Sequence, residues 1–448
     1  MLKFFFTSIF LINFLFSFSQ TYVHSYRGRT CVGETHTPVR LIGANFWAYD
    51  DEYPTQDLEW YANTFNESSF SEIKNSFCMN TVRLNLDFRI FESDQNPYNY
   101  LESGWTWLDA IVAAAQKAGV YLILDMHTPQ GGYQSYDFSG DFWGSSANDK
   151  ENQKRFKALW KEIANRYKNS AVIAGFDLIN EPLPTNNSQY WVLIQQTVDE
   201  IRKVDTNHII FVEQGFNDDF KWQTISDSNY AIDFHFYSPW EYVAQASGDV
   251  NYSYPGNGDD FWPYDYETQI EYFLEEGAQF AIDNKIPLNI GEYGIQRAVL
   301  EKQSSGAQVY LNDLYKVFEE NNVGFQIWGY HCTGWGIHEP YKATLPTDNN
   351  LNTELIKSFK FCKLIDAVGF INENEVEVYP NPVLEIIFID LPQQGNFTAQ
   401  IYSIEGKLLI SEKVNKNSQI SVSKLEKGTY ILKTSGENCE INKRFSKE

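Results

Sequence analysis

The sequence predicts a (β/α)8 barrel (TIM barrel, α/β class) followed by a small all-β sandwich. Three observations predict it. Eight short, almost continuously apolar β-type runs lie between residues 39 and 361; amphipathic helical stripes separate most of them; and after residue 362 the pattern changes to short alternating strands with turn signals. Strands buried on both faces read as unbroken apolar runs, and their alternation with helices marks a parallel sheet. An open doubly wound sheet is the main alternative, but no Gly-rich phosphate loop follows the first strand.

Residues 1–20, MLKFFFTSIFLINFLFSFSQ, place Lys3 before an apolar run that ends in small polar residues near Ser19. This is the pattern of a secretory signal peptide. A membrane anchor is the alternative, but the run is short and no positive stop follows it. No cysteine lies just after the run to carry a lipid, and no other stretch is long and apolar enough to span a bilayer.

The catalytic-type domain is placed at 21–362. Its strands are expected at 39–46, 80–86, 120–127, 172–180, 208–214, 230–237, 287–293 and 323–330. Between them, Leu108, Ile111, Val112 and Ala115 recur at helical spacing in 105–118, and Phe156, Leu159, Trp160, Ile163 and Tyr167 do so in 150–168. Similar stripes run near 189–203, 266–283 and 307–321, while 217–227 is the least regular helix. Residues 363–376 read as a connector. Residues 377–448 hold the sandwich strands, with hairpin turns expected at Glu405-Gly406 and Lys427-Gly428. A unit of roughly 70 residues folds alone only marginally.

A formal charge of −24 repels nucleic acid and disfavours a polyanionic substrate, whereas a neutral polymer meets no such penalty. Aromatics are 16% of the chain, and those placed in loops would suit stacking on sugar rings. Tyr133, Phe142 and Trp143 in 128–149, and Trp240, Tyr254 and Trp262 in 238–265, are candidates for stacking or for plain loop packing. Five cysteines without a CxxC motif leave the disulfide pairing open and argue against structural zinc.

The polar motifs fall at the predicted C-terminal ends of strands, where such barrels place their chemistry. DLINEP (177–182) and NIGEYG (289–294) each end an apolar run with a glutamate, Glu181 and Glu292. Paired carboxylates on rigid strand ends suit acid-assisted cleavage of a glycosidic bond. Asn180 and Glu181 reach one site only where the strand ends, and Pro182 is expected to bias Glu181 toward an extended backbone. The glycines beside Glu292 permit close approach of backbone or ligand. Arg83, inside NTVRLNL, requires a buried carboxylate partner; Glu292 is the natural one, with Asp87 or Asp125 as alternatives. Such a pair would keep Glu292 ionised, with Glu181 held protonated. His127 closes VYLILDMH, and His235 and Tyr237 close IDFHFY; the histidines suit sugar hydroxyls and the phenol suits the Glu292 carboxylate. Trp328 in FQIWGY suits a floor beneath a sugar.

Taken together, these motifs resemble glycoside hydrolase family 5, the cellulase family of retaining (β/α)8 glycosidases, over residues 39–361. The resemblance implies Glu181 as acid/base and Glu292 as nucleophile, Asn180 on the sugar 2-hydroxyl, and Arg83, His127, His235, Tyr237 and Trp328 lining the substrate site. It implies hydrolysis of a β-1,4-glucan without metal or organic cofactor; mannan, xyloglucan and β-1,3-glucan are alternatives, and a barrel that binds glycan without cleaving it is a further one. VYPNP, YSIEGKLL and LEKGTYILK resemble the sorting domain of the type IX secretion system of Bacteroidota bacteria. That implies export through the outer membrane, with the secretion machinery and a polysaccharide as partners. A carbohydrate-binding sandwich is the competing reading, but the segment has no Trp. A monomer is expected.

Overall fold

The computed structural model describes residues 21–47, 65–132, 141–216, 219–246, 250–257, 263–338, 351–359, 361, 377–379, 382–390, 397–403, 407–415, 418–436 and 439–447. The expected signal peptide and connector therefore lie outside the described residues, as do Tyr133, Trp262 and the Glu405-Gly406 turn.

Eight parallel strands close into a barrel. Barrel strands 1 to 8 are Ile42–Trp47, Thr81–Asp87, Tyr121–Thr128, Ile173–Asp177, Ile209–Glu213, Tyr230–Phe236, Leu288–Tyr293 and Gly324–Ile327. Strand 8 pairs with strand 1, and strand 6 with strand 7, which completes the ring. Apart from Trp47 and Tyr121, every residue of these strands is buried, which is why they read as continuous apolar runs. The helical stripes fall as expected. Glu102–Ala118, Ala147–Tyr167, Asn187–Arg202 and Ala307–Glu320 are helices, and the predicted core side chains Leu108, Ile111, Phe156, Leu159, Trp160 and Ile163 are buried.

Two helical expectations fail in an instructive way. No helix joins strands 5 and 6 among the described residues. The Asn-, Asp- and Ser-rich connection is pinned instead by Phe220 and Trp222 against Trp191, and Trp191 Nε1 donates to Lys221 O at 3.1 Å. The stripe at 266–283 is interrupted: helices Tyr266–Phe273 and Gln279–Asn284 flank a kink over Leu274–Ala278, where Gly277 leaves the helical region.

A three-stranded antiparallel sheet precedes the barrel, unforeseen because its strands have four residues or fewer. Its Val23 packs with Ile123, Ala174, Ile209 and Ala231 and closes the N-terminal mouth of the barrel. The opposite mouth is left for the polar residues.

The C-terminal unit is a sandwich of a three-stranded and a four-stranded antiparallel sheet. Ile387, Ile389, Phe397, Ile401, Ile420 and Leu432 form its core. Lys427-Gly428 is not a hairpin turn: Ser418–Ser421 belongs to one sheet and Gly428–Gly436 to the other, so the chain crosses between layers there. Cys78 is disulfide-bonded, whereas Cys31 and Cys332 keep their thiols. No helix of the described residues is long and apolar enough to cross a membrane.

Candidate active site

The C-terminal ends of the strands converge on one pocket of about 430 Å³. Its lining includes His127, Asn180, Glu181, His235, Tyr237, Glu292 and Trp328. Seven of the eight residues singled out in the sequence thus meet in a single cavity. Arg83, the eighth, lies beneath it.

Arg83 is wholly buried in strand 2 and is not a substrate ligand. Its Nε donates to Asp177 Oδ2 at 2.9 Å, Nη1 to Glu292 Oε1 at 3.0 Å and Asn45 Oδ1 at 3.1 Å, and Nη2 to Glu213 Oε1 at 2.6 Å and Asn180 Oδ1 at 3.0 Å. Asp125 Oδ1 stands 3.2 Å from Nη2. The expected partner Glu292 is present, and so is the alternative Asp125; Asp87 pairs with Arg89 instead. Burial alone would weaken the guanidinium, but Asp125, Asp177, Glu213 and Glu292 hold its pKa well above the ordinary value. The oxygens of Asp125, Asp177 and Glu213 lie close enough to hold a metal ion, and the guanidinium is the cation they surround.

Glu181 sits at φ +40, in the left-handed region, not in the extended backbone expected before Pro182. The residue before proline avoids the right-handed helical region, and here the turn escapes to the other side of the map. Two hydrogen bonds hold it: Glu181 N donates to Glu213 Oε2 at 2.8 Å, and Asn180 N donates to Met126 O at 3.2 Å. This sharp turn brings both Asn180 and Glu181 into the pocket. Glu213 serves Arg83 through one oxygen and the Glu181 backbone through the other, and His235 Nε2 stands 3.6 Å from the first.

Glu292 enters from strand 7, beside His235 of strand 6 in the register. Tyr237 Oη donates to Glu292 Oε2 at 2.9 Å. Burial, then the charges of Glu292 and Glu181, keep that phenol protonated well past its ordinary pKa. The close approach that Gly291 permits is made by a side chain: Asp233 Oδ1 accepts from Gly291 N at 2.6 Å, and a Cβ there would lie 2.7 Å from it.

One oxygen or nitrogen from each of Glu181, His235 and Glu292 lies within 4.8 Å of the others. His235 Nδ1 is 2.8 Å from Glu181 Oε1 and 3.5 Å from Glu292 Oε2. Burial opposes the charge on His235, but Glu292, Glu213 and Glu181 raise its pKa well above the ordinary imidazole value. Burial likewise opposes ionisation of Glu181, yet the His235 hydrogen bond and charge hold its carboxyl below the usual range. Burial pushes Glu292 up, against His235 and Arg83. In the open cleft the two carboxyls are therefore ordered opposite to the expectation, because the imidazolium rests on Glu181.

The remaining positions divide by exposure. His127 stacks on Trp328 with centroids 5.7 Å apart and planes 9° from parallel, and its Nδ1 lies 2.8 Å from Asp125 Oδ2. Asn180 Nδ2 is buried with no hydrogen-bond partner among the described residues. Phe142, Trp143 and Tyr254 are buried loop packing, whereas Trp240 is 57% exposed at the pocket rim beside Trp335. Asn45, Asp177, Glu213 and Glu276 were missed. The first three had a legible signal, a polar residue at or near the end of an apolar strand run.

The model of the cellulase family (glycosyl hydrolase family 5) matches residues 32–333, and that of the secretion system C-terminal sorting domain matches residues 377–448. Endoglucanase C of Acetivibrio thermocellus is 26% identical over 326 residues, covering 66% of this chain and 92% of its own. Cellodextrinase A of Ruminococcus flavefaciens is 27% identical over 331 residues, covering 72% and 94%. A β-glucanase structure from Saccharophagus degradans aligns with a TM-score of 0.55 at 18% identity, covering 77% of this chain and 94% of that one. The endoglucanase Cel5A of Thermotoga maritima aligns with a TM-score of 0.52 at 21% identity, covering 71% and 96%. With its barrel matched almost end to end and a secretion sorting domain behind it, the chain belongs to the cellulase family, glycosyl hydrolase family 5, and is a glycoside hydrolase.

Proposed function

We propose that this enzyme is an exported endo-β-1,4-glucanase that hydrolyses its polymer by double displacement with retention. One observation carries the reading: Glu181 and Glu292 present carboxyl oxygens to each other within 4.8 Å across an open pocket. Retention calls for carboxyls about 5–5.5 Å apart, while inversion needs room for a water between them.

In the first step Glu292 Oε attacks the anomeric carbon, and the glycosidic oxygen takes a proton from Glu181. The hydrogen bond between Glu181 and His235 holds that proton. Filling the cleft with a neutral sugar expels water, which disfavours the imidazolium–carboxylate pair relative to its neutral form and moves the proton onto Glu181. Arg83 and Tyr237 each donate to Glu292, which favours its ionised form as nucleophile. In the second step Glu181 takes a proton from water, and that water opens the glycosyl-enzyme. Asn180, fixed through its Oδ1 by Arg83, offers Nδ2 to the sugar 2-hydroxyl. Trp328 forms the apolar floor, and His127, stacked on it, suits a sugar hydroxyl.

The names of the endoglucanase relatives support a β-1,4-glucan. The sorting domain supports type IX export, to the medium or the cell surface of a Bacteroidota-type bacterium. The apolar run of residues 1–20 serves as the signal peptide in this reading, and the barrel acts as a monomer. Two measurements test the reading. A 2-deoxy-2-fluoro cellobioside should label Glu292, and the first product released from carboxymethylcellulose or mixed-linkage glucan should be the β-anomer. An α-anomer, or activity confined to mannan, xyloglucan or β-1,3-glucan, would sink the mechanism or the substrate respectively.

A further inference from the structure

A third carboxylate faces the pocket and has no part in the double displacement. Glu276 stands next to Gly277 at the kink in Leu274–Ala278, where the backbone of Gly277 leaves the helical region. Trp222 holds the kink: its Nε1 donates to Glu276 O at 2.8 Å. Gly277 packs so closely there that a Cβ would lie 2.7 Å from Nε1. Glu276 Oε2 accepts from Gln214 Nε2 at 2.9 Å, while Oε1 has no partner among the described residues. Burial pushes this carboxyl above its ordinary pKa despite the Gln214 bond, as expected of an acid with too few donors.

Its position identifies the sugar it meets. Gln214 and Phe216 follow strand 5, and Phe216 N donates to Pro182 O at 2.8 Å, which ties this wall to the residue beside Glu181. Trp328 and His127 line the pocket from strands 8 and 3. A proton donor faces the departing oxygen, so the leaving sugar lies on the Glu181 side, against Phe216 and Glu276. We propose that Glu276, positioned by Gln214, determines specificity for the leaving-group sugar by accepting a hydrogen bond from a hydroxyl of that neutral saccharide. The inference rests on the roles assigned above to Glu181 and Glu292.

The test separates the leaving group from the chemistry. Cellotetraose departs as a sugar, and 4-nitrophenyl β-cellobioside departs as a phenol. A hydrogen bond to a charged acceptor corresponds to about a tenfold effect, so the kcat/KM of E276A should fall about tenfold further on cellotetraose than on the aryl glycoside. The fluoro-glycosyl enzyme should likewise lose its faster reactivation by added cellobiose while E276A keeps the wild-type melting temperature. Equal losses on both substrates, or undiminished acceleration by cellobiose, overturn the proposal. Failure of the wild-type enzyme to form the fluoro-glycosyl adduct would instead overturn the reading beneath it.

Discussion

His235 Nδ1 lies 2.8 Å from Glu181 Oε1, so the proton that the leaving group needs is shared between an imidazole and a carboxyl. This relationship predicts the pH profile. Activity needs Glu292 ionised, and burial has raised its pKa, so the acidic limb should lie above the ordinary glutamate value of about 4.3. Activity also needs the shared proton. His235, buried but surrounded by Glu292, Glu213 and Glu181, releases it well above the ordinary histidine value of about 6.5. The rate should therefore fall as pH drops through the first value and as it rises through the second. In H235N the basic limb of kcat/KM should move to lower pH, because Glu181 then holds its proton alone. An unchanged basic limb would remove His235 from the proton path.

The two glutamates should separate by the demands of each step. E181A loses leaving-group protonation, so its rate of glycosyl-enzyme formation should fall about 10²–10⁴-fold on cello-oligosaccharides and far less on an aryl glycoside with a good leaving group. Added azide should rescue E181A with retention, as the β-glycosyl azide, and E292A with inversion, as the α-glycosyl azide. The opposite pattern of azide products would exchange the two roles.

Arg83 should matter to folding as much as to chemistry. Removing a buried cation leaves Asp125, Asp177, Glu213 and Glu292 facing one another without water. Breaking a buried ion cluster from one side costs about 3–5 kcal/mol, so R83M should unfold at markedly lower urea concentration at neutral pH. The sign of the pH dependence is fixed. Carboxyls crowded without a cation have raised pKa values, the folded state then binds more protons than the unfolded chain, and the deficit should shrink as pH falls through those values. Lysine is a point charge that cannot reach the five acceptors in place, so R83K should recover only part of the loss. Wild-type stability in either variant would make the cluster dispensable.

What was legible in the sequence followed from burial. Strand runs such as 80–86 and 172–180 admit one exposure pattern, and the ends of those runs marked His127, Glu181, His235 and Glu292. What was hidden depends on contacts between distant elements. The left-handed backbone of Glu181 is set by Glu213 on the next strand, and no local signal beside Pro182 announces it. The kink beside Glu276 interrupts a sound helical stripe at Gly277, and Trp222, more than 50 positions earlier, docks on it. Similarly, Arg83 was read as needing one acid and meets four, since a guanidinium fork at the barrel axis touches strand ends far apart in sequence.

Exposure also decides between the two roles left open for the loop aromatics. Trp143 is 1% exposed, edge-on to Phe142 and against Tyr190, whereas Trp240 is 57% exposed at the mouth of the pocket. Truncating a buried aromatic costs about 3–5 kcal/mol, so W143A should lower the melting temperature and lose activity only in proportion to the folded fraction. Stacking on an exposed ring is worth about 0.5–1.5 kcal/mol. W240A should therefore keep the wild-type melting temperature while its kcat/KM on cello-oligosaccharides falls about two- to tenfold, chiefly through KM. A Trp240 variant that melts early with unchanged KM would mark that ring as packing, and the sugar would have to find its platform elsewhere on the rim.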